Sequence, residues 1–197
     1  STTVSWKSSN TAIATVSSSG EVKGIAAGKV DITASAHGIS RTCTVTVKKP
    51  TIKISRSTAT LYKGKTLQLT AQTAPSTTIK WTSANESRAT VNSNGLVTAK
   101  AAGTVAIVAS ANGLSAGCVV TIKNCTLMLS SETATIARGK TLTLRATATP
   151  AATVTWRSGN TSVATVSNGV VRGIKAGTVN IMATANGITK ICRVTVK

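Results

Sequence analysis

The chain has no phenylalanine, one tyrosine, one histidine, three prolines and only four acidic residues, Glu21, Asp31, Glu86 and Glu132, in 197 positions. Each shortage excludes something. With His37 alone and the four carboxylates scattered at non-equivalent places, paired general acid–base chemistry has no partners. No serine sits in a nucleophile elbow or beside a candidate base. The four cysteines, Cys43, Cys118, Cys125 and Cys192, are never closer than seven residues, which argues against zinc. Calcium between modules would need clustered carboxylates that this chain lacks. No apolar run reaches the length of a membrane span, so no membrane insertion is expected. The expectation is a protein that is not an enzyme and carries no cofactor or metal.

What the chain does have is repetition. Trp6, Trp81 and Trp156 stand 75 residues apart, in the matching texts VSWKSSNTAIATV, IKWTSANESRATV and VTWRSGNTSVATV. A fixed period of this size means one domain copied in series. The register places Ser1 opposite Ser76, in the middle of a copy. The reading is therefore a partial repeat at 1–49 lacking its first strands, a complete repeat at 50–123 and a second at 124–197. Beginning at Ser1 with no charged-then-apolar leader, the chain reads as a processed product or an excerpt of a longer array. Each whole repeat is long enough to bury one small core.

Thr, Ser, Ala and Val fill most of the chain, and the apolar positions alternate, as in Thr66-Leu67-Gln68-Leu69 and Thr141-Leu142-Thr143-Leu144. Branched side chains at period two predict strands with one apolar face. Gly64, Asn94-Gly95, Gly103 and Asn112-Gly113 punctuate the second repeat, and the third repeats them at Gly139, Asn168-Gly169, Gly177 and Asn186-Gly187. Strands are predicted near 51–55, 59–62, 66–73, 77–82, 88–92, 96–101, 104–111 and 115–122. The fold class is all-β, a tandem row of Ig-like antiparallel sandwiches.

Each copy carries Ser-x-Asn after its Trp (Ser83 to Asn85, Ser158 to Asn160), then Ala-Thr-Val (Ala89 to Val91, Ala164 to Val166). Gly-x-Val (Gly95 to Val97, Gly169 to Val171), Ala-Gly-Thr-Val (Ala102 to Val105, Ala176 to Val179) and a final Cys-x-Val-x-[Val/Ile] follow. In this order the residues resemble the bacterial immunoglobulin-like domain of group 2, the repeat of intimin- and invasin-type surface proteins and of some virion proteins. Lys29 departs from the pattern where the other copies have Thr104 and Thr178.

Trp6, Trp81 and Trp156 are expected to face inward and fill the cores, with Asn10, Asn85 and Asn160 bonding the backbone of the following loop. Cys43, Cys118 and Cys192 are equivalent residues that share a face with core valines and read as small buried thiols. Cys125 replaces Pro50. In a sandwich of the resembled kind, Cys125 and Cys192 begin strands at one end of the third repeat, which leaves open both a disulfide and a free pair.

The 23 basic residues against four acids give a formal net charge of +19, spread as six, eight and nine over the three repeats. No basic tail or stacking aromatics accompany the charge, so no specific nucleic-acid reader is expected. The expected partners are anionic surface polymers or an acidic protein lattice, beside self-association by strand addition at the incomplete first repeat. The functional expectation is a structural and adhesive stalk or fibre on a bacterial cell surface, extracellular. The alternatives are a phage virion decoration or tail module docked through its basic surface, and a polysaccharide-binding accessory domain of a secreted hydrolase, for which only Tyr62 is a spare aromatic.

Overall fold

A computed structural model describes residues 3–197, so the Ser1-Thr2 part of the register argument lies outside the described residues. Every regular element it shows is a strand. The first repeat contains β1 (Ser5–Ser8), β2 (Ala14–Val16), β3 (Val22–Gly24), β4 (Gly28–Ala36) and β5 (Ile39–Val47). The second contains β6 (Thr51–Ile54), β7 (Thr58–Tyr62), β8 (Thr66–Gln68), β9 (Ala71–Ala74), β10 (Lys80–Ser83), β11 (Ala89–Val91), β12 (Leu96–Ala99), β13 (Gly103–Ala111) and β14 (Leu114–Lys123). The third runs β15 (Thr126–Leu129), β16 (Thr133–Ile136), β17 (Thr141–Thr143), β18 (Ala146–Thr149), β19 (Thr155–Ser158), β20 (Ala164–Ser167), β21 (Val170–Gly173), β22 (Gly177–Ala185) and β23 (Ile188–Val196).

In the third repeat a four-stranded sheet, β16-β23-β22-β19, packs across a core from a three-stranded sheet, β17-β21-β20. Its long strands alternate strictly: Val179, Ile181, Ala183 and Ala185 of β22 are buried, as are Cys192, Val194 and Val196 of β23. Each large side chain removed from water in this way contributes about 1.5–3 kcal/mol. Beside the main core, the ribbon β15-β18 covers a satellite cluster of Leu127, Ala183 and Ala185. The strands are antiparallel except that β16 runs parallel to β23, with Thr133 opposite Arg193. The second repeat shows the same pairings, β10-β13-β14-β7, β11-β12-β8 and β6-β9, with β7 parallel to β14. Among the described residues the first repeat shows β1-β4-β5 and β2-β3.

The chain divides into two compact units. One takes the described residues up to Ile54 together with Ala71–Lys80 and Ala109–Ala116; the other takes Ser55–Thr70, Trp81–Val108 and Gly117–Lys197.

Turn chemistry sets the hairpins. His37, Asn112 and Asn186 adopt φ of 50°, 52° and 51°, and the glycines after them 75°, 73° and 75°, the double left-handed geometry of a two-residue hairpin loop. Asn168-Gly169 does the same, at 47° and 82°. Asn94-Gly95, which the sequence pairs with these turns, differs: the loop is longer, and the Asn92 side chain accepts the backbone N–H groups of Asn94 and Leu96 at 3.0 and 2.9 Å. The strand predicted over 66–73 is two strands. β8 pairs with β12 and β9 with β6, because the chain crosses from one sheet to the other at Leu69-Thr70.

Candidate functional site

The residues that recur in all three copies serve the backbone. Ser8, Ser83 and Ser158 each donate a hydroxyl at 2.6 Å to a carbonyl six residues on, that of Ala14, Ala89 and Ala164. Asn10, Asn85 and Asn160 turn the loop by accepting the N–H two residues ahead, at 3.0, 3.1 and 3.0 Å. These Asx turns explain Ser-x-Asn without any ligand. The Gly-x-Val motif has a comparable origin: a Cβ on Gly20, Gly95 or Gly169 would fall 2.7, 2.9 or 3.2 Å from the ring of Trp6, Trp81 or Trp156. The indole lies on the glycine.

Trp81 and Trp156 are half-buried, and Trp156 packs against both the main and the satellite cluster of its repeat. Trp6 corrects the expectation of a core position, since it is 37% exposed. Cys43 needs the same correction: it is an exposed thiol, whereas Cys118 and Cys192 are fully buried. The two lack different neighbours: the counterpart of Cys43, Cys192, belongs to the main cluster with Ile136 and Leu144, whereas the counterpart of Trp6 also packs against the satellite cluster. Val4, Trp6, Ala34, Ala36 and Ile39 correspond to Val154, Trp156, Ala183, Ala185 and Ile188, which Leu127, Leu129, Ala146 and Ala148 cover in the third repeat. Among the described residues the first repeat shows no such ribbon, and Ile39 is 63% exposed, while Val45 and Val47 of β5 stay half-buried against Ala14, Val30 and Ile32. Treating the three copies as equivalent hides this difference.

Cys125 and Cys192 do not bridge; both are free thiols. The parallel register explains the correction. Thr133 lies opposite Arg193, so Cys192 stands level with residue 132, seven residues beyond Cys125. At about 3.3 Å per strand residue that exceeds the roughly 7 Å between Cα atoms that a disulfide spans. Cys125 instead donates its thiol to the Lys63 carbonyl at 3.7 Å. Burial pushes the Cys118 and Cys192 thiols up from their ordinary value, with the Arg56 guanidinium pulling back on Cys118.

Among the described residues, no group of three or more His, Cys, Asp or Glu side chains could hold a metal ion. A cleft of about 640 Å³ beside Trp156 is lined by Arg157, Ser158, Asn160, Thr161 and Thr165, with no acid and no base that titrates near neutrality. Such a lining offers hydroxyls and one cation but no proton relay.

The sequence model of the bacterial Ig-like domain (group 2) family matches three times, at residues 1–47, 48–121 and 126–196. Ice-binding protein 1 of Shewanella frigidimarina (strain NCIMB 400) is 33% identical over 214 residues, covering 97% of this chain and 24% of that protein. An Ig-like virion protein of Serratia phage KSP90 is 37% identical over 169 residues, 74% of this chain and 64% of that protein. The chain thus spans less than two-thirds of either relative. Among solved structures, the S-layer protein rSbsC(31-844) aligns with 100% of this chain and 35% of its own at 18% identity and a TM-score of 0.40. Sidekick-1 immunoglobulin domains 1-5 align with 100% and 54% at 13% identity and 0.32.

Proposed function

This chain belongs to the bacterial Ig-like domain (group 2) family, and from that premise we propose that it is a non-enzymatic stalk or fibre module on the outside of a bacterial cell. As a tandem Ig-like module it is structural. The observation that carries the finer reading is that the recurring motif residues serve loop and core geometry, copy after copy, leaving repetition itself as the property that selection would act on. Only two residues separate β14 from β15, and three separate β5 from β6, so little slack exists between copies. Pulling the chain from its ends in a force microscope tests this. Two separate unfolding events are expected, each releasing about 22–25 nm, the extended length of a 74-residue repeat less its folded span. Extension without force peaks overturns the mechanical role.

The basic surface points to an anionic surface polymer or an acidic protein lattice as the partner, held by charge. The exposed apolar patch of Val4, Trp6 and Ile39 in the first repeat matches the positions that the ribbon β15-β18 covers in the third, and strand addition there is the route we propose for self-association. Added peptide 124–150 is expected to blue-shift the fluorescence of Trp6; no shift sinks that route.

A second reading, decoration of a virion, is favoured by the Serratia phage relative, whose own length this chain matches more fully than it does the ice-binding protein. Gold labelling of the native source separates the two: label on cells supports the stalk, label on phage particles the decoration.

A further inference from the structure

Both complete repeats gather cations at the same end. In the third, the turn after β16 is latched by backbone hydrogen bonds: Arg138 N–H donates to Lys197 O at 2.8 Å, Gly139 N–H to Gly173 O at 2.9 Å, and Gly173 N–H to Lys140 O at 3.1 Å. Arg172 stands opposite Thr141 in the β17-β21 pair, and Lys175 N–H reaches Val163 O at 3.2 Å. Arg138, Lys140, Arg172 and Lys175 therefore ring one end of the sandwich, all of them exposed. The repeat's one acid, Glu132, precedes the opposite end of β16, where its carbonyl accepts Arg193 N–H at 2.8 Å.

The second repeat is latched alike. Lys63 N–H donates to Lys123 O at 2.9 Å, Gly64 N–H to Ala99 O at 2.9 Å, and Ala99 N–H to Lys65 O at 3.0 Å. Lys63, Lys65, Lys100 and Lys123 are exposed there. Within the same compact unit this end opens on a cleft of about 560 Å³ lined by Lys63, Asn124, Cys125 and the Asn186-Gly187 turn.

We infer that these cationic ends are docking sites for a linear phosphate polymer without rings, the charged chain of a polyol-phosphate or polyphosphate type. The inference rests on the reading of an anionic partner and gives it an address. The cations of each end sit on adjoining turns and strand ends, exposed and without an acid among the four residues named, so an anion lying between them is drawn by their summed field. The guanidinium forks of Arg138 and Arg172 match tetrahedral oxyanions. The lack of rings in the partner follows from what the end of the third repeat lacks. Readers of bases and sugars present stacking aromatics, yet the only aromatic of the third repeat is Trp156, which lies on Gly169. The latching amides are already bonded, so contact falls to long, mobile side chains. That suits a flexible polymer read by charge spacing.

The test uses the full chain, inorganic polyphosphate as probe, and two variants of equal net charge: R138Q/K140Q/R172Q/K175Q and the control K7Q/K29Q/K53Q/R193Q, whose sites lie on outer sheet faces. The end variant is expected to bind polyphosphate at least tenfold more weakly at physiological salt, with its salt slope reduced by about three (four contacts at roughly 0.7 each), while the control changes less than twofold. Equal loss in both variants overturns the address and leaves the anionic partner standing. Absence of polyphosphate binding by the unmodified chain overturns the anionic partner itself. Tighter binding of heparin or single-stranded DNA than of polyphosphate, charge for charge, overturns the assignment to a ring-free polymer. Cooperative thermal unfolding of both variants at or above the midpoint of the unmodified chain, followed by tryptophan fluorescence, confirms that they are folded.

Discussion

Gly169 holds a φ of 82°, with the Trp156 ring and the Leu144 carbonyl against the position a Cβ would take. Gly187 has a similar φ of 75° but nothing within 4 Å of that position. The pair separates backbone strain from collision. Gly187→Ala should cost about 1–2 kcal/mol, the price of a left-handed L-residue, and Gly169→Ala clearly more, since ring or carbonyl must move as well. Equal midpoints in urea would show that the indole does not rest on the glycine. The cysteines offer a second contrast. Thiol reagent on the native chain should modify Cys43 first and Cys125 more slowly, and spare Cys118 and Cys192 until unfolding. The folded-state pKa of the two buried thiols lies above the unfolded value, so their contribution is fully present below about pH 9 and is lost as pH rises through the folded pKa. Urea midpoints should decline above that pH, and Cys118→Val with Cys192→Val should flatten the decline. A decline that persists unchanged in the double variant assigns it to other groups.

At the scale of strands, the long hairpins were legible because Asn-Gly and alternating valines state both the turn and the buried face: 104–111 and 115–122 were predicted and β13 and β14 were found over Gly103–Ala111 and Leu114–Lys123. The crossing at Leu69-Thr70 was not. Alternation runs through it unbroken, and only the partners change, which depends on residues such as Gly95, whose carbonyl accepts the Leu69 N–H at 3.0 Å. The same limit explains Cys125, whose distance from Cys192 depends on a parallel register that no local pattern records. Trp6 and Cys43 differ for another reason: their local sequence matches that of their counterparts, and burial depends on covering strands that no local pattern states. The edge this leaves is measurable. β23 is flanked by β16 and β22, but among the described residues β5 pairs only with β4, so amide hydrogens in 39–47 should exchange faster than those in 188–196 by the difference in local opening free energy. Equal protection in a mass-spectrometric exchange experiment would mean that β5 has found a second neighbour, and addition of peptide 124–150 is expected to slow its exchange selectively.

For the whole molecule, the governing quantity is charge. With 23 cations and four acids, few positive groups can find an opposite partner, and the net +19 repels itself across the folded surface. The repulsion falls when salt shortens its range, from about 30 Å at 0.01 M to about 8 Å at physiological strength. The thermal midpoint should therefore rise by several degrees over that interval in sodium chloride. Phosphate at equal ionic strength separates two origins of the effect. Screening alone gives the same rise with either anion, whereas anions held at the cationic ends of the repeats add a further gain by mass action that saturates with concentration. A midpoint indifferent to salt would mean that the cations are spaced too widely to oppose folding. In that case the charge would remain available for attraction without cost to stability, and its presence on every copy would have to be explained by a partner alone.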